Sequence, residues 1–300
     1  MTDEHDSTKP AWLGETERRP QVVLMAYGDR GKIGREAAHL RSIIEQHADI
    51  VAYDGDFTLD VSAIDADIAV VLGGDGSILR AAKFMGQHQI PVVGVNLGKL
   101  GFLADLLPQD FVQCFPEICC GQFRVVDHLM FQCRVLRGKE VLHDELGLNE
   151  MAILAGPPFS MLHVDLYVDG EWATTYSCDG LIISTPVGST AHSLSAGGPI
   201  LRKSLQGFVI SPISPHTLTV RPVVDSADRS YEVAVRDPNA TTSVVIDGRT
   251  ICELTSQDRV RVERAESTFQ LVEVKGRNYY RTLREKLSWG GDIRERTARR

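Results

Sequence analysis

Residues 73–77 (Gly-Gly-Asp-Gly-Ser) combine three glycines and one carboxylate in a stretch that could bind phosphate. An apolar, β-branched run over residues 67–72 precedes them, and a segment with helical spacing over residues 78–85 follows. Glycines permit a sharp turn and a close approach of backbone N–H groups to a ligand, and a helix N-terminus favours an anion. We therefore predict a strand, a phosphate-binding turn and a helix, with Ser77 as the helix N-cap.

Asp75 does not fit a simple anion-binding turn, because its negative charge repels a phosphate. Two tasks would explain a carboxylate here: holding Mg²⁺, or accepting the proton of an attacking hydroxyl. An Asx-turn, in which the side chain only stabilises the loop, is the structural alternative. The glycine spacing matches neither the Gly-Lys-Ser/Thr ending of a P-loop nor the Gly-x-Gly-x-x-Gly of dinucleotide-binding Rossmann units.

The composition is typical of a soluble globular protein and argues against two kinds of partner. The 300 residues include 40 acidic and 32 basic side chains, a formal net charge of −8, which argues against nucleic acid and an anionic membrane surface. No apolar run approaches the roughly 20 residues of a membrane span, and the polar N-terminus is not expected to be a signal peptide. The six cysteines are scattered, which predicts reduced thiols in a cytoplasmic protein without a zinc site.

Four segments are predicted along the chain. Residues 1–20 are polar with little periodicity and are predicted to form a disordered leader. Strands alternating with helices over residues 21–123 predict an α/β domain with a parallel, Rossmann-like sheet. Short period-two stretches separated by turns over residues 124–275 predict an all-β domain of antiparallel sheets packed on each other. Residues 276–300 are predicted to form a helix that returns to the first domain, followed by a loose Gly- and Arg-rich tail.

Two further segments have a composition suited to a polar ligand. Residues 96–105 follow the fourth predicted strand and should lie near Asp75, since ligands bind outside the carboxyl ends of parallel strands. Residues 179–200 contain an acid, a short apolar strand and then a long loop rich in glycine and hydroxyl side chains. Such a loop offers many hydrogen-bond donors to ribose hydroxyls and phosphates, and long loops are usually functional. An ordinary connection is the alternative for both segments.

The combination of these motifs resembles the bacterial NAD kinases. The chain has Gly-Gly-Asp-Gly-Ser at 73–77, Asn-Leu-Gly-Lys-Leu-Gly-Phe-Leu at 96–103, Leu-Asn-Glu at 148–150 and Asp-Gly-Leu-Ile-Ile-Ser-Thr-Pro-Val-Gly-Ser-Thr-Ala at 179–191. The 6-phosphofructokinases share only the first motif, and lipid kinases of the diacylglycerol type share that motif and a two-domain plan. The resemblance implies transfer of a phosphoryl group from ATP or polyphosphate to the adenosine 2′-hydroxyl of NAD, which gives NADP.

The resemblance also implies a role for each matching residue. Asp75 corresponds to the base that accepts the 2′-hydroxyl proton, and Asn149 and Glu150 to the pair that binds the adenosine ribose hydroxyls. Asp179 corresponds to an acid that reads nitrogen atoms of the base or the carboxamide. A turn is the alternative for the Asn-Glu pair. The other implied contacts are with the donor phosphates, from Gly73, Gly74, Gly76 and Arg80, and with the dinucleotide, from Thr190, Ala191, His192, Ser193 and Ser195.

Two positions depart from the family pattern, and for a third residue two interpretations are equally supported. His192 stands where the family usually has Tyr, so an imidazole replaces a stacking ring. The residues before Asp179 are neutral where many relatives carry a basic side chain, and Arg249 is the candidate to replace that pyrophosphate contact. For Arg80, a phosphate contact and a solvated helix charge are equal alternatives.

The resemblance further implies a cofactor and an assembly. Mg²⁺ is expected to arrive bound to the donor phosphates, with no metal ligand predicted in the chain itself. The substrates are NAD and ATP, and a homo-oligomer, either dimer or tetramer, is expected. Two alternative functions stay open at this point: a lipid or sugar kinase with the same glycine-rich loop, and a non-catalytic NADP sensor.

Overall fold

The computed structural model of the chain describes most of its residues. The described residues are 10–13, 18–26, 32–56, 58–59, 63–98, 101–275 and 279–287. They fall into two compact units, named here the α/β unit and the β unit. The α/β unit takes its described residues from 1–84, 90–126 and 270–300, and the β unit from 85–89 and 127–269.

Strands and helices alternate in the first part of the chain. In order they are β1 (Gln21–Ala26), α1 (Lys32–His47), β2 (Asp49–Asp54), β3 (Ile68–Leu72), α2 (Asp75–Met85), β4 (Val92–Val95) and α3 (Pro108–Cys119). The four strands form a parallel sheet in the order β2-β1-β3-β4. Every side chain of β3 is buried, as expected for a parallel strand covered on both faces.

The core of the α/β unit contains side chains of two helices and of the sheet. Leu40 and Ile44 of α1 and Phe111 and Phe115 of α3 belong to one buried cluster with residues of β1, β3 and β4. The two phenylalanine rings stack with their centroids 4.7 Å apart. The parallel sheet thereby holds the ends of β3 and β4 at one edge, where the glycine-rich segments follow them.

The segment around Trp12 is ordered, whereas the sequence predicts a disordered leader over residues 1–20. Ala11–Leu13 form a short 3₁₀-helix, and the Trp12 side chain is only 4% exposed. Its indole stacks on Phe123 with centroids 5.8 Å apart, and Nε1 donates a hydrogen bond to the carbonyl oxygen of Cys119 at 2.9 Å. One large aromatic residue buries enough surface to anchor a polar segment. The leader residues 1–9 and 14–17 lie outside the described residues.

Strands dominate the rest of the chain. They are β5 (Arg124–Arg137), β6 (Glu140–Gly147), β7 (Glu150–Leu154), β8 (Leu162–Val168), β9 (Glu171–Cys178), β10 (Gly180–Ser184), then, after the short helix α4 (His192–Ser195), β11 (Gly207–Ile213), β12 (Val223–Ser226), β13 (Tyr231–Val235), β14 (Ser243–Ile246), β15 (Arg249–Glu253) and β16 (Asp258–Glu273). The helix α5 (Tyr279–Leu287) follows β16.

Antiparallel pairing builds the β unit, as the sequence predicts. Six strands form one sheet in the order β12-β11-β10-β7-β14-β15. In a second group, β13 pairs with β8 and β16, β8 pairs with β9, and β5 pairs with β6 and β16. Side chains of both groups, among them Ile153, Ile183, Val164 and Val233, share one buried cluster. The prediction of packed antiparallel sheets is confirmed.

The C-terminal segment belongs to the α/β unit. Leu271, near the end of β16, pairs in parallel with Val92 of β4. In α5, the Nζ atom of Lys286 lies 5.1 Å from the centre of the Phe102 ring. The predicted loose tail lies outside the described residues. Among the helices that the structure describes, none combines the length and the apolar character that crossing a bilayer requires.

Candidate active site

The Asp75 carboxylate accepts three backbone hydrogen bonds from the loop that follows β4. Oδ1 accepts the N–H groups of Leu103 at 2.9 Å and Ala104 at 3.0 Å, and Oδ2 accepts the N–H of Phe102 at 2.8 Å. An ionised carboxylate offers about four lone-pair sites, so roughly one site, on Oδ2, stays available to a further donor. The bonds join the first residue of α2, three positions after the end of β3, to the loop after β4, as predicted for segments that follow neighbouring strands at one sheet edge.

The helix α2 begins at Asp75, three residues before the first helical residue that the sequence predicts. Asp75 is its first residue, and the Ser77 N–H already donates to the carbonyl oxygen of Gly74 at 2.9 Å. Ser77 therefore lies in the first turn, and the prediction that it is the N-cap is wrong. The Asp75 side chain is bonded to residues 102–104 of the loop after β4, while its backbone already belongs to the first helical turn.

Close backbone approach explains the glycine at position 101. A Cβ atom there would lie 2.0 Å from Oδ1 of Asp75, so any larger residue would displace the carboxylate. Asn96 holds the same loop from inside: its Oδ1 accepts the N–H of Gly98 at 2.8 Å, and its Nδ2 donates to the carbonyl oxygen of Ala104 at 3.4 Å. The loop is thus held by the side chains of Asp75 and Asn96, which both follow the carboxyl ends of parallel strands.

The other predicted phosphate ligands surround Asp75 in sequence and differ in exposure. Gly74 and Gly76 are exposed, and a Cβ atom added at either residue would meet no described atom within 4 Å apart from its chain neighbours and, at Gly76, the backbone of its own helix. Their backbone is therefore open to a ligand. Gly73 is partly buried at the end of β3, and Arg80 is exposed in the second turn of α2.

In the β unit, Asn149 and Glu150 stand at a bend that leads into β7. Glu150 is 7% exposed, and its Oε2 is a buried acceptor with no hydrogen-bond partner among the described residues. Burial, and then the nearby charge of Asp247, raise the pKa of the Glu150 carboxyl to about 8. A buried acceptor without a partner is costly in a protein, so this oxygen is suited to a ligand hydroxyl.

A loop after β10 supports the carbonyl side of the same bend. Thr185 donates through Oγ1 to the carbonyl oxygen of Leu148 at 2.6 Å and through its N–H to that of Asn149 at 2.9 Å. A Cβ atom at Gly188 would lie 2.1 Å from the Asn149 carbonyl oxygen, so only glycine fits there. The long hydroxyl-rich loop of the sequence prediction is therefore packed directly against the Asn-Glu pair.

The residues predicted to contact the dinucleotide in this loop have different environments. His192 and Ser195 are exposed on α4, while Thr190 and Ala191 are half-buried. Ser193 is fully buried, and its Oγ lies 3.0 Å from the Oγ of Ser211. The Ser193 hydroxyl is thus already used inside the β unit, and it supports the loop from within.

Two charged residues of the prediction already have partners. Asp179 is exposed just before β10, and its Oδ1 lies 3.4 Å from Nε2 of His216, a residue that the sequence analysis did not identify. Arg249 donates from Nη2 to Oε2 of Glu145 at 3.1 Å. A phosphate contact by Arg249 therefore requires it to exchange or share this partner.

A metal ion finds few ligands in the described part of the chain. No group of three or more His, Cys, Asp or Glu side chains there could hold one. Asp75 is the acidic side chain of the glycine-rich turn, and most of its lone pairs are already used by backbone N–H groups. A divalent cation therefore fits this chain when phosphate oxygens supply most of its ligands, which is how Mg²⁺ usually binds with nucleotides.

Two protein-family models match the chain over most of its length. The model described as ATP-NAD kinase N-terminal domain matches residues 12–123. The model described as ATP-NAD kinase C-terminal domain matches residues 148–274. The Asp75 site and the Asn-Glu site fall in the first and the second match respectively.

Individual relatives are similar over nearly the whole chain. An NAD kinase from Rhodopirellula baltica is 53% identical over 282 residues, which are 94% of this chain and 90% of that protein. An NAD kinase from Geobacter sulfurreducens is 40% identical over 261 residues, 87% and 89% of the two chains. A solved NAD kinase from Archaeoglobus fulgidus in complex with ATP has a TM-score of 0.71 and 27% identity, and the match covers 90% of this chain and 100% of that one. Yeast NADH kinase complexed with NADH shares the fold, with a TM-score of 0.79, 22% identity and coverage of 92% and 90%.

Proposed function

Because the chain belongs to the NAD kinase family, we propose that it transfers the γ-phosphoryl group of ATP to the adenosine 2′-hydroxyl of NAD. It is a kinase that acts on NAD, and the products of this reaction are NADP and ADP. The observation that carries the assignment of the dinucleotide site is the buried Oε2 of Glu150, an acceptor with no partner among the described residues. Ribose hydroxyls are donors that would satisfy it.

Asn149 and Glu150 bind the ribose in this proposal. An ionised Glu150 accepts O–H bonds from neighbouring hydroxyls, and charge-assisted bonds of this kind are roughly twice as strong as neutral ones. Asn149 adds an amide that donates and accepts. The carbonyl oxygens of the bend are already bonded to Thr185, so the two side chains are the groups left to contact a ligand.

Asp75 acts as the base that accepts the proton of the attacking hydroxyl. The proton passes from the 2′-hydroxyl to the available position on Oδ2, the hydroxyl oxygen forms the bond to the γ-phosphorus, and the bond from that phosphorus to the bridging oxygen of ADP breaks. The three N–H groups that bond to Asp75 fix its orientation, which favours an in-line attack.

The donor phosphates bind at the glycine-rich turn. Gly74 and Gly76 offer exposed backbone, Gly73 shapes the turn, and Arg80 supplies a positive charge one helical turn further along. The N-terminus of α2 adds the favourable end of a helix dipole. Mg²⁺, bound to the phosphates, would neutralise part of their charge. Polyphosphate presents the same chemistry and is the second donor to be tested.

Location and assembly complete the proposal. All six cysteines lie in the described part of the chain and none forms a disulfide, which supports a reducing compartment such as the cytoplasm. We also propose a homo-oligomer, dimer or tetramer, on the resemblance to the family. Light scattering of the purified protein would measure its mass directly.

A coupled assay tests the function. The purified protein is incubated with NAD, Mg²⁺ and either ATP or polyphosphate, and NADP is followed by an NADP-specific dehydrogenase. NADP that forms only when NAD and a donor are both present is the expected result, and NADH in place of NAD measures the selectivity for the oxidised form. NADP binding without turnover with either donor would instead indicate a sensor.

A further inference from the structure

Asp247 makes four hydrogen bonds to one tripeptide. Its Oδ2 accepts the N–H of Leu148 at 2.8 Å, and its Oδ1 accepts those of Asn149 at 2.8 Å and Glu150 at 3.1 Å. Its own N–H donates to the carbonyl oxygen of Glu150 at 3.0 Å. Asp247 has a φ of 48°, in the left-handed region that Asp tolerates better than most residues.

These bonds complete the support of the bend before β7. Thr185 binds the carbonyl oxygens of Leu148 and Asn149, while Asp247 binds the N–H groups of the same residues. The bend lies ahead of the strand pairing, which begins at Glu150 opposite Ser184. The direction in which Asn149 and Glu150 leave the backbone therefore depends on one side chain from the β14–β15 turn.

Asp247 also acts on Glu150 through its charge. Its three N–H donors favour the ionised carboxylate, and that charge adds to burial in raising the pKa of Glu150. Burial raises the pKa of Asp247 itself, and the three N–H groups and Arg249 oppose that rise. Arg249 is itself paired with Glu145, its Nη2 lying 3.1 Å from Oε2 of that residue.

We infer that Asp247 is the positioning residue of the dinucleotide site, which holds Asn149 and Glu150 in the arrangement that binds the ribose hydroxyls. The inference rests on the proposed function, because it concerns the same site. It adds a residue that would contact no substrate atom and would act through the two that do. The alternative is that Asp247 only stabilises the turn between β14 and β15.

Asp247→Asn tests the inference, with Asp169→Asn as a matched control. Asp169 also precedes a glycine in a hairpin turn of the β unit, has a φ of 51°, and its carboxylate accepts the N–H of Ser230. Calorimetry with NAD at about pH 9, above the pKa of Glu150 in both proteins, isolates positioning from charge. We expect Asp247→Asn to weaken NAD binding by about tenfold and to raise KM more than it lowers kcat. Asp169→Asn should leave both unchanged.

The pH profile supplies a readout that a purely structural role would not move. Removing the Asp247 charge lowers the pKa of Glu150, so the pH at which NAD binding is half-maximal should shift downward in Asp247→Asn. In Glu150→Gln, NAD affinity should no longer depend on pH in this range. The loss of NAD affinity caused by Asp247→Asn should be smaller in the Glu150→Gln background than in the wild type.

Other outcomes would contradict either the role of Asp247 or the proposed function, and the measurements distinguish the two. A lower Tm with unchanged NAD affinity and pH midpoint would reduce Asp247 to a turn residue and overturn the inference. If Asp247→Asn does not fold, Asp247→Ser repeats the measurement, and failure of both to fold would also overturn it. Absence of NAD binding and of NADP formation in the wild type would instead reject the proposed function.

Discussion

Asp75 in the α/β unit and Asp247 in the β unit both use a carboxylate to hold a loop by its N–H groups, but the groups around the two carboxylates differ. Each accepts three N–H groups from consecutive residues of a loop, 102–104 for Asp75 and 148–150 for Asp247. Asp75 is partly exposed beside an open glycine turn, whereas Asp247 lies next to a second acid, Glu150.

One arrangement of backbone hydrogen bonds thus serves two purposes in this protein. A carboxylate that fixes a loop and keeps a lone pair near solvent can still accept a proton from a ligand. A carboxylate that fixes a loop beside another acid changes the ionisation of that acid and leaves the ligand contact to it. We therefore propose that Asp75 itself accepts the proton, and that Glu150 binds the ligand while Asp247 positions it.

Asp75→Asn is expected to have the largest effect. An amide cannot take up the hydroxyl proton, so we expect turnover to fall by about 10²–10⁴-fold while NAD affinity changes little. Asp65→Asn, at an exposed position of the same unit, is the control. Steady-state kinetics and calorimetry measure the two quantities. If the variant keeps more than about a tenth of wild-type turnover and loses only thermal stability, Asp75 is a loop-holding residue like Asp247.

At about pH 9, where the Glu150 carboxyl is ionised, Glu150→Gln is expected to weaken NAD binding by about tenfold or more, since a charge-assisted hydrogen bond contributes roughly 1.5–3 kcal/mol. The wild type should bind NAD more tightly as the pH rises through about 8, where the Glu150 carboxyl ionises, and the variant should show no such rise. Glu253→Gln, exposed on β15, is the matched control. An unchanged dissociation constant in Glu150→Gln would place this residue outside the site.

The sequence points to candidate reacting groups more readily than to the residues that hold them in place. Residues 73–77 are recognisable because glycine, a buried strand and a helix stand next to each other. The partners of Asp247 lie 97 to 99 positions away along the chain, so no local pattern reveals them, and Asp247-Gly248 is visible only as a turn. The link between Asp179 and His216 is likewise set by strand pairing rather than by spacing.

Some elements of the fold were missed for similar reasons. The helix α3, which the sequence analysis does not single out, carries Pro116 inside it, and proline in a helix interior weakens the local helix signal. Trp12 is a single apolar residue in a polar segment, and only the surface of α3 and Phe123 gives it a place to bind. The parallel and antiparallel sheets were predicted because their patterns are local and repeated.

Thermal stability offers a further test of the acid pair in the β unit. The pKa of Glu150 is raised from 4.5 to about 8, so the folded protein holds a proton that the unfolded chain releases between these values. The stability that comes from this proton is complete below about pH 4.5, falls as the pH rises from there, and is lost above about pH 8. Glu150→Gln should therefore be more stable than the wild type at about pH 9, by roughly 1–3 kcal/mol, and similar to it near pH 4.5. A wild-type Tm that does not fall relative to the variant over this range would contradict the buried-acid assignment.

His192→Tyr asks how far the dinucleotide site extends along the loop beyond Gly188, and its expected effect is the smallest. His192 is exposed at the start of α4, so the change should leave Tm and kcat nearly unchanged. A phenol ring beside the ligand would add stacking worth about 0.5–1.5 kcal/mol, which corresponds to NADP binding that is roughly two- to tenfold tighter. Ser195→Ala, at the other end of the same short helix, is the comparison variant, and calorimetry with NADP measures both. Equal NADP affinity in His192→Tyr and the wild type would mean that this side chain points away from the ligand, and the site in the β unit would then end at the bend that Asp247 and Thr185 hold.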